Sequence, residues 1–257
     1  MRSIEEVIKQ SNLKIMVVGN SGSGKTHFTG TFPKSYVINT EPGGMDTIAN
    51  NPQLSKNIVG WDEFIPDSPK DTKRVFQELQ LACDKVKELA REGKVETLVL
   101  DNMTYLSENR WTYIETHEPK FSTRTGDLDK MSMFGALGRW QYQFVLMNLL
   151  RFPGNVVMTV HEQLESDEAL DKKPDKSCPI LPNIIGGFRD KAEGMFSCVM
   201  YLQKIKGQQG YKHVARTNKG NQRNAKNRYN LPEIIENPSY SNILTAIRKN
   251  VSQVKEK

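Results

Sequence analysis

The chain has 257 residues, of which 37% are hydrophobic and 26% are charged, a composition typical of a globular protein. No apolar run approaches the roughly 18 residues of a membrane-spanning helix, and three cysteines without a C-x-x-C spacing argue against disulfide and zinc roles. Because the first ten residues also lack the apolar core of a secretory signal, we expect a cytoplasmic protein with one α/β domain over residues 1–257.

Apolar runs of strand length alternate with amphipathic segments along the chain. The strand-like runs are Leu13–Val18, Ser35–Thr40, Val95–Leu100, Asn155–Val160 and a late pair, Ser197–Leu202 and Tyr211–Arg216. Helical spacing predicts helices over residues 71–91, 133–151 and 240–254, and another helix begins near Thr26. Near-continuous apolar strands that alternate with helices predict an α/β fold, with a mainly parallel sheet and helices on both faces.

Two polar stretches interrupt this alternation. Residues 107–132 are rich in Thr, Glu and Lys, and residues 162–192 contain several prolines and turn-forming residues. The pattern predicts two long loops at these positions, and long loops inside a compact domain are usually functional or disordered.

Positive charge is concentrated late in the chain. Residues 203–228 contain eight Lys or Arg and no Asp or Glu, whereas the net charge of the whole chain is only +6. The rest of the chain is therefore slightly acidic. This concentration favours a contact surface for phosphate or nucleic acid, and the alternative is a solvated hairpin and loop.

The first predicted strand runs directly into a glycine-rich loop. Residues 19–26 read Gly-Asn-Ser-Gly-Ser-Gly-Lys-Thr, which matches the pattern G-x-x-x-x-G-K-[ST]. In such a loop, backbone N–H groups hold phosphate oxygens, the lysine contacts the β- and γ-phosphates, and the final hydroxyl binds Mg²⁺. The sequence therefore predicts an ATP and Mg²⁺ site; the alternative is a glycine turn without a ligand. The predicted nucleotide-binding residues are Gly19, Asn20, Ser21, Gly22, Ser23, Gly24, Lys25, Thr26 and the adjoining His27.

Two carboxylates complete the predicted site. Asp101 ends an apolar strand, at the edge of the sheet where ligands bind beyond the carboxyl ends of parallel strands, and we expect it to share Mg²⁺ with Thr26. Its alternative role is a helix cap. Many P-loop enzymes have a water-activating Glu directly after this Asp, but here the position is Asn102. Glu41, which follows the strand Ser35–Thr40, is therefore the predicted base, and we expect this strand to lie beside the strand that precedes the glycine loop. The alternative role of Glu41 is a turn carboxylate before Pro42.

A further strand ends in polar residues. His161 and Gln163 follow the strand Asn155–Val160, at the edge where the γ-phosphate is expected. One of them, His161 or Gln163, is the candidate group that senses this phosphate, and either is equally compatible with an ordinary loop residue.

Taken in order, these motifs resemble those of the RecA-like phage nucleotide-binding proteins, including the phage single-strand annealing proteins counted as the fourth Sak family. The motifs that carry the resemblance are Gly19–Thr26, Glu41 with its Pro-Gly-Gly, Leu98–Asp101, Val157–Glu162 and Ala225–Arg228. The resemblance implies a RecA-like P-loop core that acts on single-stranded DNA.

The resemblance also implies roles for later residues. Lys226 and Arg228 are similar to the Lys-x-Arg of RecA-like proteins, whose cations reach the γ-phosphate bound by the neighbouring subunit, so the active site would be shared within a ring or filament. The alternative is a basic strip against the DNA backbone. By resemblance, the two polar stretches would face single-stranded DNA; the residues concerned are Arg110, Trp111, Tyr113, Phe121, Arg124, Lys172, Lys173, Lys176 and Arg189.

The combined expectation is an ATP- and Mg²⁺-dependent ATPase acting on single-stranded DNA in phage or bacterial recombination or replication. It would be a homo-oligomer in the bacterial cytoplasm, with a single-strand binding protein as a further partner and no membrane association. Lys25, Glu41, Lys226 and Arg228 are its predicted catalytic residues. Two alternatives are an ATP-controlled DNA-binding scaffold with slow turnover, and a P-loop kinase of small molecules with residues 162–192 or 219–228 as its lid.

Overall fold

The computed structural model describes residues 12–118, 129–166, 177–207 and 210–255, with side chains as far as residue 249. The strands are β1 (Lys14–Val18), β2 (Ser35–Asn39), β3 (Ile58–Glu63), β4 (Thr97–Asp101), β5 (Asn155–Val160), β6 (Glu162–Leu164), β7 (Ile180–Pro182), β8 (Cys198–Gly207), β9 (Gly210–Arg216), β10 (Lys226–Asn227) and β11 (Ile234–Glu236). The helices are α1 (Lys25–Thr29), α2 (Asp46–Ala49), α3 (Pro52–Ser55), α4 (Thr72–Arg91), α5 (Met103–His117), α6 (Lys130–Phe144), α7 (Phe188–Met195) and α8 (Tyr240–Lys255).

Nine of these strands form one mixed sheet within the described residues, in the order β11-β9-β8-β1-β5-β4-β2-β3, with β10 also paired to β8. Its central part, from β8 to β3, is parallel throughout. The pairings of β9, β10 and β11 are antiparallel. The predicted α/β fold with a mainly parallel sheet is confirmed, and the carboxyl ends of β1, β4 and β5 meet at one edge.

Helices cover both faces of this sheet. Met16 and Val18 of β1 face the larger hydrophobic core, which α4, α5, α6 and α7 cover. Ile15 and Val17 face the second core, which α1 and α8 cover. Because successive strand residues point to opposite faces and both faces are buried, the central strands are apolar at nearly every position.

The two predicted long loops are partly wrong. Residues 107–117 belong to α5, and α6 already begins at Lys130. Contacts of Arg110 stabilise this helix: its guanidinium packs against three aromatic rings and pairs with Glu118 at 2.8 Å, so a charged side chain is accommodated in a partly buried position. Residues 162–192 contain the antiparallel pair β6–β7 and most of α7.

Other elements were not predicted. β3 lies at the end of the sheet, and its residues alternate between partly buried and exposed positions, so it has no continuous apolar run. The short helices α2 and α3 lie between β2 and β3. None of the described helices is both long and apolar enough to cross a membrane.

Candidate nucleotide site

The glycine loop connects β1 to α1 at the carboxyl edge of the sheet. Gly22 and Gly24 have φ values of 72° and 96°, which L side chains rarely adopt, so the loop depends on glycine at both positions. The N–H of Gly19 donates to the carbonyl of Val160 at 3.1 Å and fixes the loop to the end of β5. The sheet therefore fixes the path of the loop, and the loop lines a cavity.

Lys25 lies at the centre of this loop. It is 5% exposed, and its Nζ donates to the carbonyls of Gly19 and Asn20 at 2.8 and 3.0 Å. Burial lowers the pKa of Lys25, and the nearby carboxylates of Asp101, Glu41 and Glu162 oppose this effect. A phosphate that enters the loop would offer the ammonium an anionic partner in place of two neutral carbonyls.

Asp101 is the last residue of β4 and is only 1% exposed. Thr26 Oγ1 donates to its Oδ2 at 3.0 Å, and Thr159 donates to its Oδ1. Burial raises the pKa of Asp101 despite these two hydroxyls. A buried carboxylate beside a threonine hydroxyl has the oxygen chemistry that Mg²⁺ prefers, and a bound cation would compensate the cost of burial. Thr26 and Asp101 therefore fit the predicted metal ligands.

Glu41 also reaches this edge, although by a different route from the one expected. The preceding strand, β2, is not beside β1, because β5 and β4 lie between them. The expectation that these two strands are neighbours is therefore wrong. The side chain instead lies beside β4, where Asn102 Nδ2 donates to Glu41 Oε2. The neighbouring imidazole of His161 lowers the pKa of Glu41, against the effect of burial, so the carboxylate is ionised at neutral pH.

His161 lies between the loop lysine and Glu41. Its Nδ1 is 3.4 Å from Lys25 Nζ, and its Nε2 is 3.4 Å from Glu41 Oε1. Its backbone N–H donates to Thr104 Oγ1 at 3.0 Å, which fixes its position. Gln163, the other sensor candidate, lies on β6 opposite Leu181. Of the two, it is His161 that the structure brings to the nucleotide site.

A cavity of about 630 Å³ opens beside these residues. Its lining comes from the glycine loop with His27, from Glu41 and the turn after it, and from the end of the sheet. The lining residues not predicted from the sequence are Pro42, Gly43, Gly44, Thr47, Leu202, His213, Asn237, Pro238 and Ser239. A cavity of this size that combines a phosphate-binding loop with a remote end of mixed polarity suits a nucleotide.

His213 is the most informative of these additions. It comes from β9, and its Nδ1 lies 2.8 Å from the carbonyl oxygen of Ser23 in the loop. A side chain at position 24 would meet the same ring at 2.9 Å. Burial lowers the pKa of His27, which also lines the cavity, and the nearby His213 contributes to that shift. The only signal for His213 in the sequence was its place within residues 203–228, the segment with eight Lys or Arg and no acids, which we call the basic segment.

A second unpredicted contact joins the loop to the basic segment. Asn20 Nδ2 donates to Glu162 at 2.7 Å, and Arg223 binds the same carboxylate through Nε and Nη2 at 3.1 and 3.0 Å. Both charged side chains are less than a tenth exposed. A buried pair of this kind fixes geometry more than it adds stability, so Glu162 and Arg223 set the position of the segment against the loop.

Lys226 and Arg228 lie elsewhere in the same protomer. Lys226 belongs to β10, and Arg228 follows it. β10 pairs with the first residues of β8, at the edge of the sheet opposite the glycine loop. Lys226 Nζ donates to the carbonyls of Glu193 and Gly194 at 3.1 and 2.9 Å, near the end of α7. The Arg228 side chain is exposed. Neither residue lines the cavity of its own chain.

The residues expected to contact DNA are also distributed differently. Arg110 is enclosed by aromatic rings, and Trp111 and Tyr113 pack against neighbouring aromatic side chains. Arg189 lies 3.3 Å from Glu165. The others, Phe121, Arg124, Lys172, Lys173 and Lys176, lie outside the described residues.

Comparison with known proteins identifies the family of the chain. A family model described as an AAA domain, AAA_24, matches residues 11–229, so the chain belongs to this family. It is an ATP-binding P-loop ATPase domain with a mostly parallel sheet. A search of curated proteins found no significant match.

Proposed function

We propose that this chain is a Mg²⁺-dependent ATPase that acts on single-stranded DNA in recombination or replication, and that it works as an oligomer. One observation carries the ATPase part: Lys25, Thr26 and Glu41 line the cavity, and Asp101 and His161, from two further chain segments, contact them directly behind it. This combination provides a cation for the phosphates, oxygen ligands for a metal, and an ionised carboxylate for water.

The roles follow from the contacts of each group. Thr26 and Asp101 would hold Mg²⁺, which when bound neutralises charge on the β- and γ-phosphates. Lys25 would exchange its two carbonyl partners for phosphate oxygens. Glu41 would orient the attacking water and accept its proton, since its carboxylate is ionised and is held by Asn102. His161, between Lys25 and Glu41, would report the presence of the γ-phosphate to both.

The DNA part and the oligomer have separate support. The ordered motifs resemble those of RecA-like phage annealing proteins, and residues 203–228 carry eight basic and no acidic residues. Arg228 is exposed at the edge of the sheet opposite its own site. A cation in this position can serve a neighbouring subunit, which would make the catalytic site a shared one.

A measurement of ATP turnover with and without single-stranded DNA tests the proposal. We expect the DNA to stimulate turnover by the wild-type protein, and Glu41→Gln to lower kcat by about 100-fold while ATP still binds. Glu88→Gln, which changes an exposed carboxylate on α4, is the matched control. Turnover that Glu41→Gln leaves unchanged would contradict the assigned base. Slow turnover without stimulation by DNA would favour the scaffold alternative.

A further inference from the structure

The strands β8 and β9 continue beyond the sheet as a two-stranded ribbon. β8 pairs with β1 only as far as Tyr201, and β9 pairs with β11 only from Val214 onward. Among the described residues, 204–207 and 210–213 therefore form strand pairs only with each other, and we call these two segments the ribbon. At its base, the N–H of Asn237 also donates to the carbonyl of His213 at 2.8 Å. The ribbon leaves the sheet at the same edge as the glycine loop.

One face of the ribbon points toward the glycine loop. Lys204 is opposite His213, and Lys206 is opposite Tyr211, so these four side chains share a face. At the base of this face, His213 contacts the carbonyl of Ser23. Lys204 lies beside His213, and Lys206 and Tyr211 lie farther from the sheet; none of these three lines the nucleotide cavity. They are therefore placed for a ligand other than the bound nucleotide.

The charges on this face are available. Within the described part of the chain, neither Lys204 nor Lys206 lies within ion-pair distance of a carboxylate, whereas Lys212 on the other face pairs with Glu236. Tyr211 is 68% exposed, and Lys204 Nζ lies 4.9 Å from the centre of its ring. Unpaired ammonium groups beside an exposed aromatic ring suit a phosphate backbone with a base stacked on the ring.

We propose that the ribbon face formed by Lys204, Lys206 and Tyr211 is the binding surface for single-stranded DNA. The inference rests on the proposed function, because it locates the DNA on which the ATPase acts. It differs from the surface expected from the polar stretches, of which Arg110 and Arg189 are already engaged by carboxylates. An exposed ring favours a single strand, because the bases of a duplex are already stacked on one another.

His213 gives this surface a direct connection to the nucleotide. Its imidazole contacts Ser23 of the loop, and its backbone continues into Lys212 and Tyr211 of the ribbon. Any movement of the loop on nucleotide binding would reach the base of the ribbon through this contact. The bound strand would thus lie beside the mouth of the cavity, where it can influence turnover.

Fluorescence anisotropy of the full chain with a labelled oligo(dT), over a range of salt concentrations, tests the inference. We expect Lys204→Ala/Lys206→Ala to weaken binding at least tenfold and to reduce the slope of log K against log salt by about 1.4. Tyr211→Ala should also weaken binding about tenfold but leave that slope unchanged, because it removes stacking and no charge. Lys73→Ala/Lys85→Ala removes the same charge from exposed positions on α4 and should have little effect.

The outcomes separate this inference from the proposed function. If the wild-type protein binds oligo(dT) and the ribbon variants bind it equally well, the ribbon is not the DNA surface, although the proposed function remains. If the wild-type protein does not bind oligo(dT), the DNA part of the proposed function fails first. If a duplex binds as tightly as the single strand, the stacking role of Tyr211 is contradicted. ATP turnover without DNA should be the same in all variants, which also verifies folding.

Discussion

The two edges of the central sheet hold lysines in the same way but in different surroundings. Each of three lysines donates to two backbone carbonyls: Lys25 to Gly19 and Asn20, Lys14 to Phe152 and Gly154, and Lys226 to Glu193 and Gly194. Lys25 lies at the carboxyl edge of the sheet, and Lys14 and Lys226 lie toward the opposite edge. Hydrogen bonds to carbonyls therefore do not distinguish a functional lysine from a structural one.

The surroundings make the distinction. Three carboxylates near Lys25 oppose the effect of burial on its pKa, and a cavity opens beside it. Burial alone lowers the pKa of Lys14 to about 8. An ammonium group near acids and an open cavity can exchange carbonyls for phosphate, whereas Lys14 joins chain segments. Lys226 joins segments within its own chain, and its predicted role at a neighbour's site stays a prediction. Charge balance and space, rather than the hydrogen bonds themselves, identify the catalytic edge.

The largest effect is expected for two variants, one at each edge of the sheet, whose sites would meet between neighbouring subunits. Lys25→Ala and Arg228→Ala should each lower ATP turnover by about 1000-fold, since both remove a cation from the γ-phosphate. An equimolar mixture of the two variants should recover about a quarter of wild-type turnover, because that fraction of interfaces then combines an intact Lys25 with an intact Arg228. Phosphate release from the mixture measures this recovery.

Arg139→Ala, which changes an exposed arginine on α6, serves as the control for Arg228→Ala. Size-exclusion chromatography would verify that both inactive variants still assemble. If they assemble and exchange subunits but the mixture stays inactive, Arg228 does not complete a neighbour's site, and the two edges are functionally separate.

A smaller effect, on the stability of the nucleotide-free protein, is expected at Asp101. Its pKa is raised above 3.8 by burial, so the unfolded chain ionises first as the pH increases. Stability is therefore lost between pH 3.8 and the higher pKa of the folded state, and the loss persists at neutral pH. Asp101→Asn should raise the melting temperature of the nucleotide-free protein by about 2–4 °C at pH 7, as expected for roughly 1 kcal/mol, while it abolishes Mg²⁺-dependent turnover.

Differential scanning calorimetry without Mg²⁺ or ATP, at pH 4 and pH 7, measures this difference. Asp67→Asn alters an exposed carboxylate and should leave the melting temperature nearly unchanged. An Asp101→Asn protein that melts below the wild type at pH 7 would mean that the two threonine hydroxyls already compensate the buried charge.

The sequence alone was enough to predict that Gly19–Thr26, Asp101 and Glu41 meet at one edge of the sheet, because this follows from local patterns. Gly19–Thr26 and Asp101 each follow an apolar strand, and the carboxyl ends of parallel strands meet at one edge. Glu41 was also placed there, although the identity of its neighbouring strand was wrong. The order of strands depends on pairings between residues far apart in the chain, and no local pattern records them.

The remaining contacts were not predictable for the same reason. Glu162 and Arg223 form a buried pair across 61 residues, and His213 reaches Ser23 across 190 residues. The polar composition of residues 107–117 indicated a loop, but the aromatic rings around Arg110 make burial of its charge tolerable within a helix. Tertiary contacts decided each of these cases.

The last expected effect, on stability alone, concerns Lys14, the structural counterpart of Lys25. Its pKa is about 8 in the folded protein and 10.5 in the unfolded chain, so the unfolded state binds more protons between these values. Stability should therefore rise as the pH increases from 8 to 10.5. Lys14→Met removes the titrating group, and urea unfolding of both proteins between pH 7 and pH 10 should show a weaker rise for the variant. An equal rise would mean that Lys14 is better solvated than its burial implies. ATP turnover at pH 7 should be the same in both proteins, because Lys14 takes no part at the catalytic edge.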